Sequence, residues 1–326
     1  MANIIFIGGT GRSGTTVVRK ILERHSQVVA LPFESRFISD PDGIVDFYRV
    51  YTANWSPYLA DRRIKRLEAF LLSLAKANNF HKFLNKMIQV INKRSLIISP
   101  KAYADWELEK YIPNFEKYVR ELISELYEFT FPAIWRGTEG YTFSPKIYYG
   151  KPKSKEEVAK ILRRFLDKVV QSLFQKKKGV KLYVDDSPWN ILIAKDLFSL
   201  IPDTKIINVL RDPRDITASF LKQNWSPKTL KEAVAYCKDV TEDWLSFKKE
   251  LPLDQYLEIK LEDLVSFPEV TARKICDFIS LPYENQMIEL DLSKSHSGRW
   301  QQEFSDEEKK YLEDQLGSII KKLGYE

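Results

Sequence analysis

The segment that most constrains this chain is residues 8–16, Gly-Gly-Thr-Gly-Arg-Ser-Gly-Thr-Thr. The apolar run of residues 3–7 precedes it, and a segment with helical periodicity follows from residue 17. A β-branched run followed by glycines, hydroxyl residues and an amphipathic segment is typical of a buried strand, a tight loop and a helix N-terminus. Free backbone N–H groups and the positive end of the helix dipole then face whatever occupies the loop. The segment therefore predicts an anion-binding site.

Two phosphate-binding patterns fit this loop only in part. The spacing from Gly9 to Gly14 matches the Walker A motif, but Thr15 stands where that motif requires lysine, which argues against ATP hydrolysis and a nucleotide kinase. The three loop glycines also match the dinucleotide fingerprint G-x-G-x-x-G. Glu34 lies twenty residues beyond the last of them, where an acid that binds the ribose is expected. An NAD-type oxidoreductase therefore stays an alternative.

A third pattern fits this loop residue by residue. Residues 11–16, Gly-Arg-Ser-Gly-Thr-Thr, resemble the 5′-phosphosulfate loop of sulfotransferases that use 3′-phosphoadenosine 5′-phosphosulfate (PAPS). In that family the basic residue is Lys in the cytosolic branch and Arg in the tyrosylprotein and many bacterial branches, and this chain has Arg12. The resemblance implies that the 5′-phosphate of PAPS is bound by Gly11, Arg12, Ser13, Gly14, Thr15 and Thr16.

A second block supports the same resemblance. Residues 205–210 are the strongest strand signal in the chain, and Arg-Asp-Pro-Arg-Asp follows at once, before a predicted helix. A guanidinium at a strand end and a hydroxyl two turns along the helix are able to hold one phosphate. By the resemblance, Arg211 and Ser219 bind the 3′-phosphate. A helix terminus with salt bridges of Arg214 and Asp215 would explain the charges, but not their pairing with the first loop.

A carboxylate is expected at the same edge of the sheet. Residues 28–31 predict a short buried strand, and Glu34 follows it after a proline. Open α/β sheets bind ligands at the carboxyl ends of their strands, so Glu34 is expected in that crevice. In tyrosylprotein sulfotransferases and similar bacterial enzymes a Glu in a Glu-x-Arg segment is the catalytic base, and Glu34 with Arg36 resembles that pair. A solvated glutamate on a loop is the alternative interpretation.

Two further segments resemble sulfotransferase motifs. Near the C-terminus, Gly298-Arg299-Trp300 resembles the basic loop that closes over the nucleotide, with Arg299 as the phosphate contact. Upstream, residues 256–260 predict a strand, and residues 261–264, Leu-Glu-Asp-Leu, resemble the Tyr-Glu-Asp-Leu of the family. Leucine replaces the tyrosine of that motif, which removes one possible aromatic contact.

Composition agrees with a protein that binds an anion. The chain of 326 residues carries a formal net charge of +6, which suits a phosphorylated ligand but does not demand nucleic acid. Cys237 and Cys276 have neither metal-ligand nor disulfide spacing, so we expect core residues in a reducing compartment. The first strand begins close to Met1, and no apolar run of about eighteen residues occurs. We therefore expect no signal peptide, no membrane span and a cytoplasmic location.

Residues 41–180 are not covered by the resemblance. We expect a mainly helical insertion that covers the acceptor site, within a single domain that spans residues 1–326. Four segments with helical periodicity support this expectation: residues 47–54, 63–90, 103–129 and 156–174. Aromatic side chains of the block are expected either to line an acceptor pocket or to pack in the core: Trp55, Trp106, Trp135, Tyr148 and Tyr149.

Together these motifs predict an α/β protein with a P-loop-like, three-layer fold: a central parallel sheet, helices on both faces and the helical insertion. The implied reaction moves a sulfuryl group from PAPS to a hydroxyl or amine and releases adenosine 3′,5′-bisphosphate. Glu34 is expected to act as the general base, and Arg12 to stabilise the leaving phosphate without a metal ion. The acceptor stays open among a glycan, a tyrosine peptide and a small phenol.

Two positions depart from the tyrosylprotein sulfotransferases. Asp186 stands where they carry a lysine that contacts the transferring group, so either another cation substitutes or Asp186 helps to handle the acceptor proton. Gln223 stands where they carry a basic residue, with Lys222 beside it. A non-catalytic anion-binding or carbohydrate-binding protein is the further alternative, favoured if Glu34 lies in a buried salt bridge away from the crevice.

Overall fold

The structure, a computed structural model, describes residues 3–76, 83, 86–88, 106–133, 135, 146–292 and 297–325. The described part contains a parallel sheet of five strands and a separate antiparallel pair. Numbered in chain order, the strands are β1 (Ile4–Gly9), β2 (Val28–Ala30), β3 (Phe129–Pro132), β4 (Lys146–Tyr149), β5 (Leu182–Asp185), β6 (Lys205–Leu210) and β7 (Tyr256–Lys260).

The five-stranded sheet has the order β2-β5-β1-β6-β7, and every neighbouring pair is parallel. All residues of β1 and β5 are buried, as expected for a parallel sheet that is covered on both faces. The predicted central parallel sheet is confirmed. Because β1 pairs with both β5 and β6, the loop of residues 10–14 leaves the sheet between the ends of these two strands, where open α/β sheets bind ligands.

Helices flank this sheet and also form most of the remaining described chain. Numbered in chain order, the α-helices are α1 (Thr15–Glu23), α2 (Ile44–Ala53), α3 (Pro57–Ala75), α4 (Leu108–Tyr111), α5 (Phe115–Leu126), α6 (Lys155–Phe174), α7 (Ala194–Leu200), α8 (Pro213–Leu221), α9 (Leu230–Phe247), α10 (Leu261–Ser266), α11 (Pro268–Ile279), α12 (Trp300–Glu303) and α13 (Asp306–Leu323). Residues 83 and 86–88 are also helical. Short 3₁₀ helices occupy Pro188–Ile191, Lys248–Glu250 and Asn285–Ile288. No helix of the described part is long and apolar enough to cross a membrane.

The chain divides into two compact units. The sheet unit comprises Asn3–Ser35, Gly179–Phe198 and Pro202–Glu326, and it contains the parallel sheet. The helical unit consists mainly of Arg36–Lys178, together with Ser199–Ile201. The expected single domain across residues 1–326 stays a prediction.

In the sheet unit, one face of the sheet packs against α1, α10 and α11. Val18, Ile21 and Leu22 share one side of α1 at helical spacing and are completely buried. They pack in one cluster with strand residues that include Ile5, Ile7, Val28, Val184, Ile207 and Val209. This packing holds α1 on the sheet, so its N-terminus stays at the carboxyl ends of β1 and β6.

In the helical unit, the described residues form α2 to α6 and the hairpin of β3 and β4. The helix predicted over residues 103–129 is wrong at its end, because α5 ends at Leu126 and Phe129 begins β3. The Phe129 and Tyr149 rings stack across the hairpin with centroids 4.7 Å apart, and such cross-strand aromatic pairs stabilise strands. The helix predicted over residues 63–90 is present to Ala75, and most of its remainder lies outside the described residues.

Two of the aromatic residues considered for an acceptor pocket have polar contacts within this unit. Tyr148 is buried, and its hydroxyl donates to Oε2 of Glu68 (2.8 Å). The indole Nε1 of Trp55 donates to the backbone oxygen of Gly150 (3.0 Å). These contacts are consistent with packing inside the helical unit, and the acceptor pocket stays a prediction.

Candidate functional site

The loop between β1 and α1 contains three residues with positive φ. Gly11 (79°), Arg12 (59°) and Gly14 (106°) turn the backbone in this way, and the two glycines adopt such angles without a steric penalty. Left-handed residues within a tight loop turn backbone N–H groups toward one concavity, which favours an anion. Gly14 is the N-cap of α1 and has no side chain to cap it. The first turn of α1 therefore presents its N–H groups to a ligand.

The glycines of this loop are also required by packing. A Cβ atom on Gly9 would lie 2.1 Å from Oγ of Ser13, and a Cβ atom on Gly14 would lie 2.8 Å from Cδ1 of Leu261. Leu261 is 2% exposed and packs against the loop at the position where the resemblance expects tyrosine. The leucine thus supports the loop through an apolar contact.

The hydroxyl side chains of the loop differ in exposure. Thr15 is buried and Thr16 is exposed. Ser13 is completely buried, and its Oγ has no hydrogen-bond partner among the described residues. A buried hydroxyl without a partner costs about 1–3 kcal/mol. An anion in the loop would remove that cost by accepting a hydrogen bond from Ser13.

Three arginines from distant parts of the sequence meet beside the loop. Arg12 donates from Nε to Oγ of Ser219 (3.1 Å), and Arg211 donates from Nη1 to the backbone oxygen of Arg12 (3.0 Å). Burial lowers the pKa of Arg12, and the charge of Arg299 lowers it further. Burial also lowers the pKa of Arg211, while two carboxylates raise it and the other two arginines lower it. The three guanidinium groups repel one another, so an anion among them would be stabilised.

The Arg-Asp-Pro-Arg-Asp segment holds Arg211 at the end of β6. Asp212 caps α8 by accepting at Oδ1 from the N–H of Arg214 (2.9 Å), and its own N–H donates to Oε1 of Glu262 (3.1 Å). Arg211 is only 6% exposed, and its Nη2 lies 3.9 Å from Oδ2 of Asp215. The guanidinium is therefore a buried cation held between the loop of residues 10–14 and α8.

Asp215 joins residues 297–300, which we call the late loop, to α8. Its Oδ2 accepts the N–H of Gly298 (2.7 Å), and its Oδ1 accepts the N–H of Trp300 (3.0 Å). These contacts bring Arg299 to the other two arginines. In the sequence, Asp215 was considered only in the alternative of a helix terminus with salt bridges, and its contact with the late loop was missed.

Glu34 lies at the carboxyl edge of the sheet but beside other strands. It follows β2, and its neighbour Ser35 donates from N and Oγ to Oδ1 of Asp185 (3.3 and 2.5 Å). Asp185 ends β5 and also accepts from Nδ2 of Asn190 (2.8 Å). Because β5 stands between β2 and β1, the lateral distance between those two strands is ~10 Å. The predicted partner Arg36 belongs to the helical unit.

Asp186, which follows β5, forms a buried ion pair. Its Oδ2 accepts from Nε of Arg19 in α1 (3.1 Å), and the two residues are 2% and 5% exposed. Its Oδ1 is buried and has no hydrogen-bond partner within the described ranges. Burial raises the pKa of Asp186 to about 6, with a further contribution from the charge of Asp185 and an opposing effect of Arg19. The sequence analysis did not identify Arg19 as a partner of Asp186. The two roles considered for Asp186 stay predictions.

Most of the predicted site residues lie within the sheet unit at the ends of β1 and β6. These residues are Gly11, Arg12, Ser13, Gly14, Thr15, Thr16, Arg211, Ser219, Gly298, Arg299 and Trp300. Glu34 lies in the same unit, at the end of β2. In the part of the chain that the structure describes, no group of three or more His, Cys, Asp or Glu residues could hold a metal ion.

The chain is similar to known proteins over most of its length. The profile of the Sulfotransferase family matches residues 4–285. Among solved structures, the sulfotransferase domain from the curacin biosynthetic pathway superposes with a TM-score of 0.51 at 14% sequence identity, and the match covers 97% of this chain and 98% of that chain. At this identity the likeness shows a shared fold.

Two bacterial structures are also similar. The sulfotransferase from Alicyclobacillus acidocaldarius has a TM-score of 0.45 at 13% identity, with 98% of this chain and 94% of that chain covered. The sulfotransferase STF9 from Mycobacterium avium has a TM-score of 0.43 at 12% identity, with 98% and 76% covered. No curated protein matches the chain.

Proposed function

Since this chain belongs to the sulfotransferase family, we propose that it transfers a sulfuryl group from PAPS to a hydroxyl or amine acceptor. The observation that carries this proposal is the meeting of Arg12, Arg211 and Arg299 beside the loop of residues 10–14. A single phosphate group is held well by one such loop at a helix N-terminus. The side chain of Arg12 and two further cations from distant segments, Arg211 and Arg299, fit a ligand with a second anionic group.

The residues of the loop and those at the end of β6 suit the two anionic groups of PAPS. The loop N–H groups and the buried hydroxyl of Ser13 suit the 5′-phosphosulfate, because they are donors in one concavity. Arg211 and Ser219 suit the 3′-phosphate, because a buried guanidinium and a hydroxyl are donors near the same point. Arg12, itself a residue of the loop, contacts Arg211 through its backbone oxygen and Ser219 through its Nε. Arg299 would add charge at the open side of this cluster.

In the proposed reaction, the acceptor oxygen or nitrogen forms a bond to sulfur as the bond from sulfur to the 5′-phosphate oxygen breaks. The acceptor proton passes to the carboxylate of Glu34, and adenosine 3′,5′-bisphosphate leaves with the electron pair of the broken bond. Arg12 stabilises the charge that develops on the leaving phosphate. As in phosphoryl transfer, positioning and charge stabilisation dominate. The guanidinium groups supply the positive charge, so the proposed reaction requires no metal ion.

The position of Glu34 supports its assignment as the base. Its segment follows a strand at the carboxyl edge of the sheet and is tied to that edge through Ser35 and Asp185. Because β5 stands between β2 and β1, the Glu34 segment leaves the sheet from a strand ~10 Å to the side of the strand that leads into the loop. A base that follows a different strand is suited to contact the acceptor while the loop holds the donor.

The proposal predicts a response to adenosine 3′,5′-bisphosphate. At a hundred times its dissociation constant this product should stabilise the protein by ~2.7 kcal/mol, and 5′-AMP, NAD or Mg-ATP at the same concentration should stabilise it less. The Arg211→Ala variant is expected to bind the bisphosphate about tenfold to a hundredfold more weakly, since hydrogen bonds to charged groups contribute about 1.5–3 kcal/mol. Thermal unfolding and titration calorimetry measure both effects.

Arg273 in α11 offers a matched control for this prediction. It is an exposed arginine of the same unit, in an ion pair with Glu269, so Arg273→Ala should leave bisphosphate binding unchanged. Stabilisation by NAD in preference to the bisphosphate would support the dinucleotide-binding oxidoreductase instead. The absence of any response to the bisphosphate would contradict the sulfotransferase assignment of the site.

A transfer assay separates an enzyme from a non-catalytic anion-binding protein. PAPS with a labelled sulfuryl group is offered with a simple phenol, an acidic tyrosine peptide and a glycan oligosaccharide in turn. Transfer to one of these classes is expected and would assign the acceptor class. Tight binding of the bisphosphate without transfer to any of the three would favour the non-catalytic alternative.

A further inference from the structure

Asp215 is a buried carboxylate that contacts the late loop at two points. It lies in the first turn of α8 and is 1% exposed. Its two oxygens accept separate backbone N–H groups, those of Gly298 (2.7 Å) and Trp300 (3.0 Å). These two residues flank Arg299, so the carboxylate holds the backbone on both sides of that arginine.

This geometry requires two acceptor oxygens. Two N–H groups that are two residues apart both donate toward α8, and an ionised carboxylate is the short side chain that accepts both. An asparagine has one acceptor oxygen, and its NH₂ group would face the second N–H. Gly298 has a φ of 77°, a conformation that glycine adopts readily. The two hydrogen bonds to Asp215 therefore favour one backbone conformation at Gly298, where glycine could adopt several.

The charge of Asp215 acts against anion binding when it is considered alone. Its Oδ2 lies 3.9 Å from Nη2 of Arg211, so the carboxylate partly neutralises a cation that should attract the ligand. Burial raises the pKa of Asp215, while its two backbone hydrogen bonds and Arg211 lower it. Burial thus makes ionisation of this carboxylate unfavourable, and its negative charge weakens the attraction of the site for an anion. A different contribution of Asp215 to the site would offset these two effects.

A carboxylate of the neighbouring helix also contacts the arginine of the late loop. Arg299 donates from Nε to Oε1 of Glu303 (2.9 Å), and Lys222 donates to the same oxygen (2.5 Å). Glu303 thus contacts the side chain of Arg299, whereas Asp215 holds the backbone on both sides of that arginine. On the other side of the loop, the guanidinium carbon of Arg214 lies 4.0 Å from the centroid of the Trp300 ring.

We propose that Asp215 is a positioning residue: it fixes the backbone of Gly298 and Trp300 so that Arg299 faces the arginine cluster and contributes to binding of the 3′-phosphorylated nucleotide. This role rests on the proposed function, because it concerns the same nucleotide. Asp215 does not touch the ligand itself and acts through Arg299.

A double-mutant cycle tests this role with adenosine 3′,5′-bisphosphate as the ligand. Asp215→Asn is expected to weaken binding about tenfold, although it removes a negative charge that faces Arg211. Arg299→Gln is expected to weaken binding by a similar factor, and the double variant should bind no more weakly than Arg299→Gln alone. Non-additive effects of this kind mark two residues that act as a unit.

Glu262 offers a control for the charge alone. It is the other carboxylate that raises the pKa of Arg211, and its oxygens accept from the N–H of Asp212 and the hydroxyl of Tyr325 rather than from the late loop. Glu262→Gln should therefore bind the bisphosphate as tightly as the unchanged protein or more tightly. Weaker binding by Asp215→Asn without weaker binding by Glu262→Gln distinguishes positioning from a change in the electrostatic field.

Amide hydrogen exchange in the ligand-free protein gives a readout that does not depend on the proposed function. The amides of Gly298 and Trp300 are expected to exchange faster in Asp215→Asn and at the unchanged rate in Glu262→Gln. If Asp215→Asn does not fold, Asp215→Ser, with a smaller side chain and one acceptor, replaces it in every comparison.

Three results would overturn the proposal: unchanged exchange of the two amides, equal or tighter bisphosphate binding by Asp215→Asn, or additive effects of Asp215→Asn and Arg299→Gln. Failure of the unchanged protein to bind the bisphosphate would instead overturn the proposed function. In that case the exchange rates still decide whether Asp215 holds the late loop.

Discussion

The Glu34→Gln variant is expected to keep its affinity for adenosine 3′,5′-bisphosphate and to transfer sulfuryl groups about 10²- to 10⁴-fold more slowly. The substitution preserves the size of the side chain but removes the carboxylate that we propose as the acceptor of the proton. Glu34 lies beside β2 and β5, whereas the residues assigned to the nucleotide lie at the ends of β1 and β6. The measurements are kcat with PAPS and the best of the three acceptors, and the dissociation constant of the bisphosphate.

Glu289 provides the control for this prediction. It is an exposed glutamate of the sheet unit, so Glu289→Gln should change neither the rate nor the binding. Equal losses of binding and transfer in Glu34→Gln would mean that Glu34 holds the nucleotide or the fold. Transfer at the rate of the unchanged protein would remove Glu34 from the mechanism.

The Arg19→Met variant is expected to lose about 3–5 kcal/mol of unfolding free energy at pH 8, because it leaves the carboxylate of Asp186 buried without its cation. The loss should be smaller at pH 5. The pKa of Asp186 is already raised from 3.8 to about 6, so its ionisation lowers the stability of the unchanged protein as the pH rises from about 4 to 6. Without Arg19 the pKa rises further, and stability continues to fall at higher pH.

Urea denaturation at pH 5 and pH 8 measures this difference. Lys20→Met is the control, because Lys20 is the exposed neighbour on the same helix, and it should lose little stability at either pH. The double variant Arg19→Met with Asp186→Asn should recover much of the loss at pH 8, since it removes both charges. An equal loss at the two pH values would assign the effect of Arg19 to packing and not to the ion pair.

Local patterns were sufficient for several elements that carry the proposed nucleotide site. The strands predicted over residues 205–210 and 256–260 have these bounds in the structure, because short apolar runs between polar turns leave little choice of conformation. The glycines of the first loop predicted a tight turn, and in the structure Gly11 and Gly14 adopt positive φ. In contrast, β3 was missed, since its pairing with β4 is a non-local contact that helical periodicity in the preceding segment conceals.

Contacts between distant segments could not be predicted from local sequence patterns. Arg19 and Asp186 are 167 residues apart in the sequence, and the N–H groups of Gly298 and Trp300 lie more than 80 residues from Asp215. A charged residue in a sequence has many possible partners, and strand order and helix packing select among them. For Asp186 the sequence left two roles open, and the structure adds a buried cation beside it.

The sequence alone determined the chemical character of this protein: a glycine-rich, hydroxyl-rich loop after a buried strand, basic residues after a second strand, and a late Gly-Arg-Trp, which together predict a phosphorylated ligand. These features are readable because strand periodicity and glycine conformation depend on near neighbours. Only the tertiary structure decided that Arg12, Arg211 and Arg299 act on one another and that Asp215 holds the late loop. The physical reason is that charges interact through space, over distances set by the packing of the sheet and its helices and not by their separation along the chain.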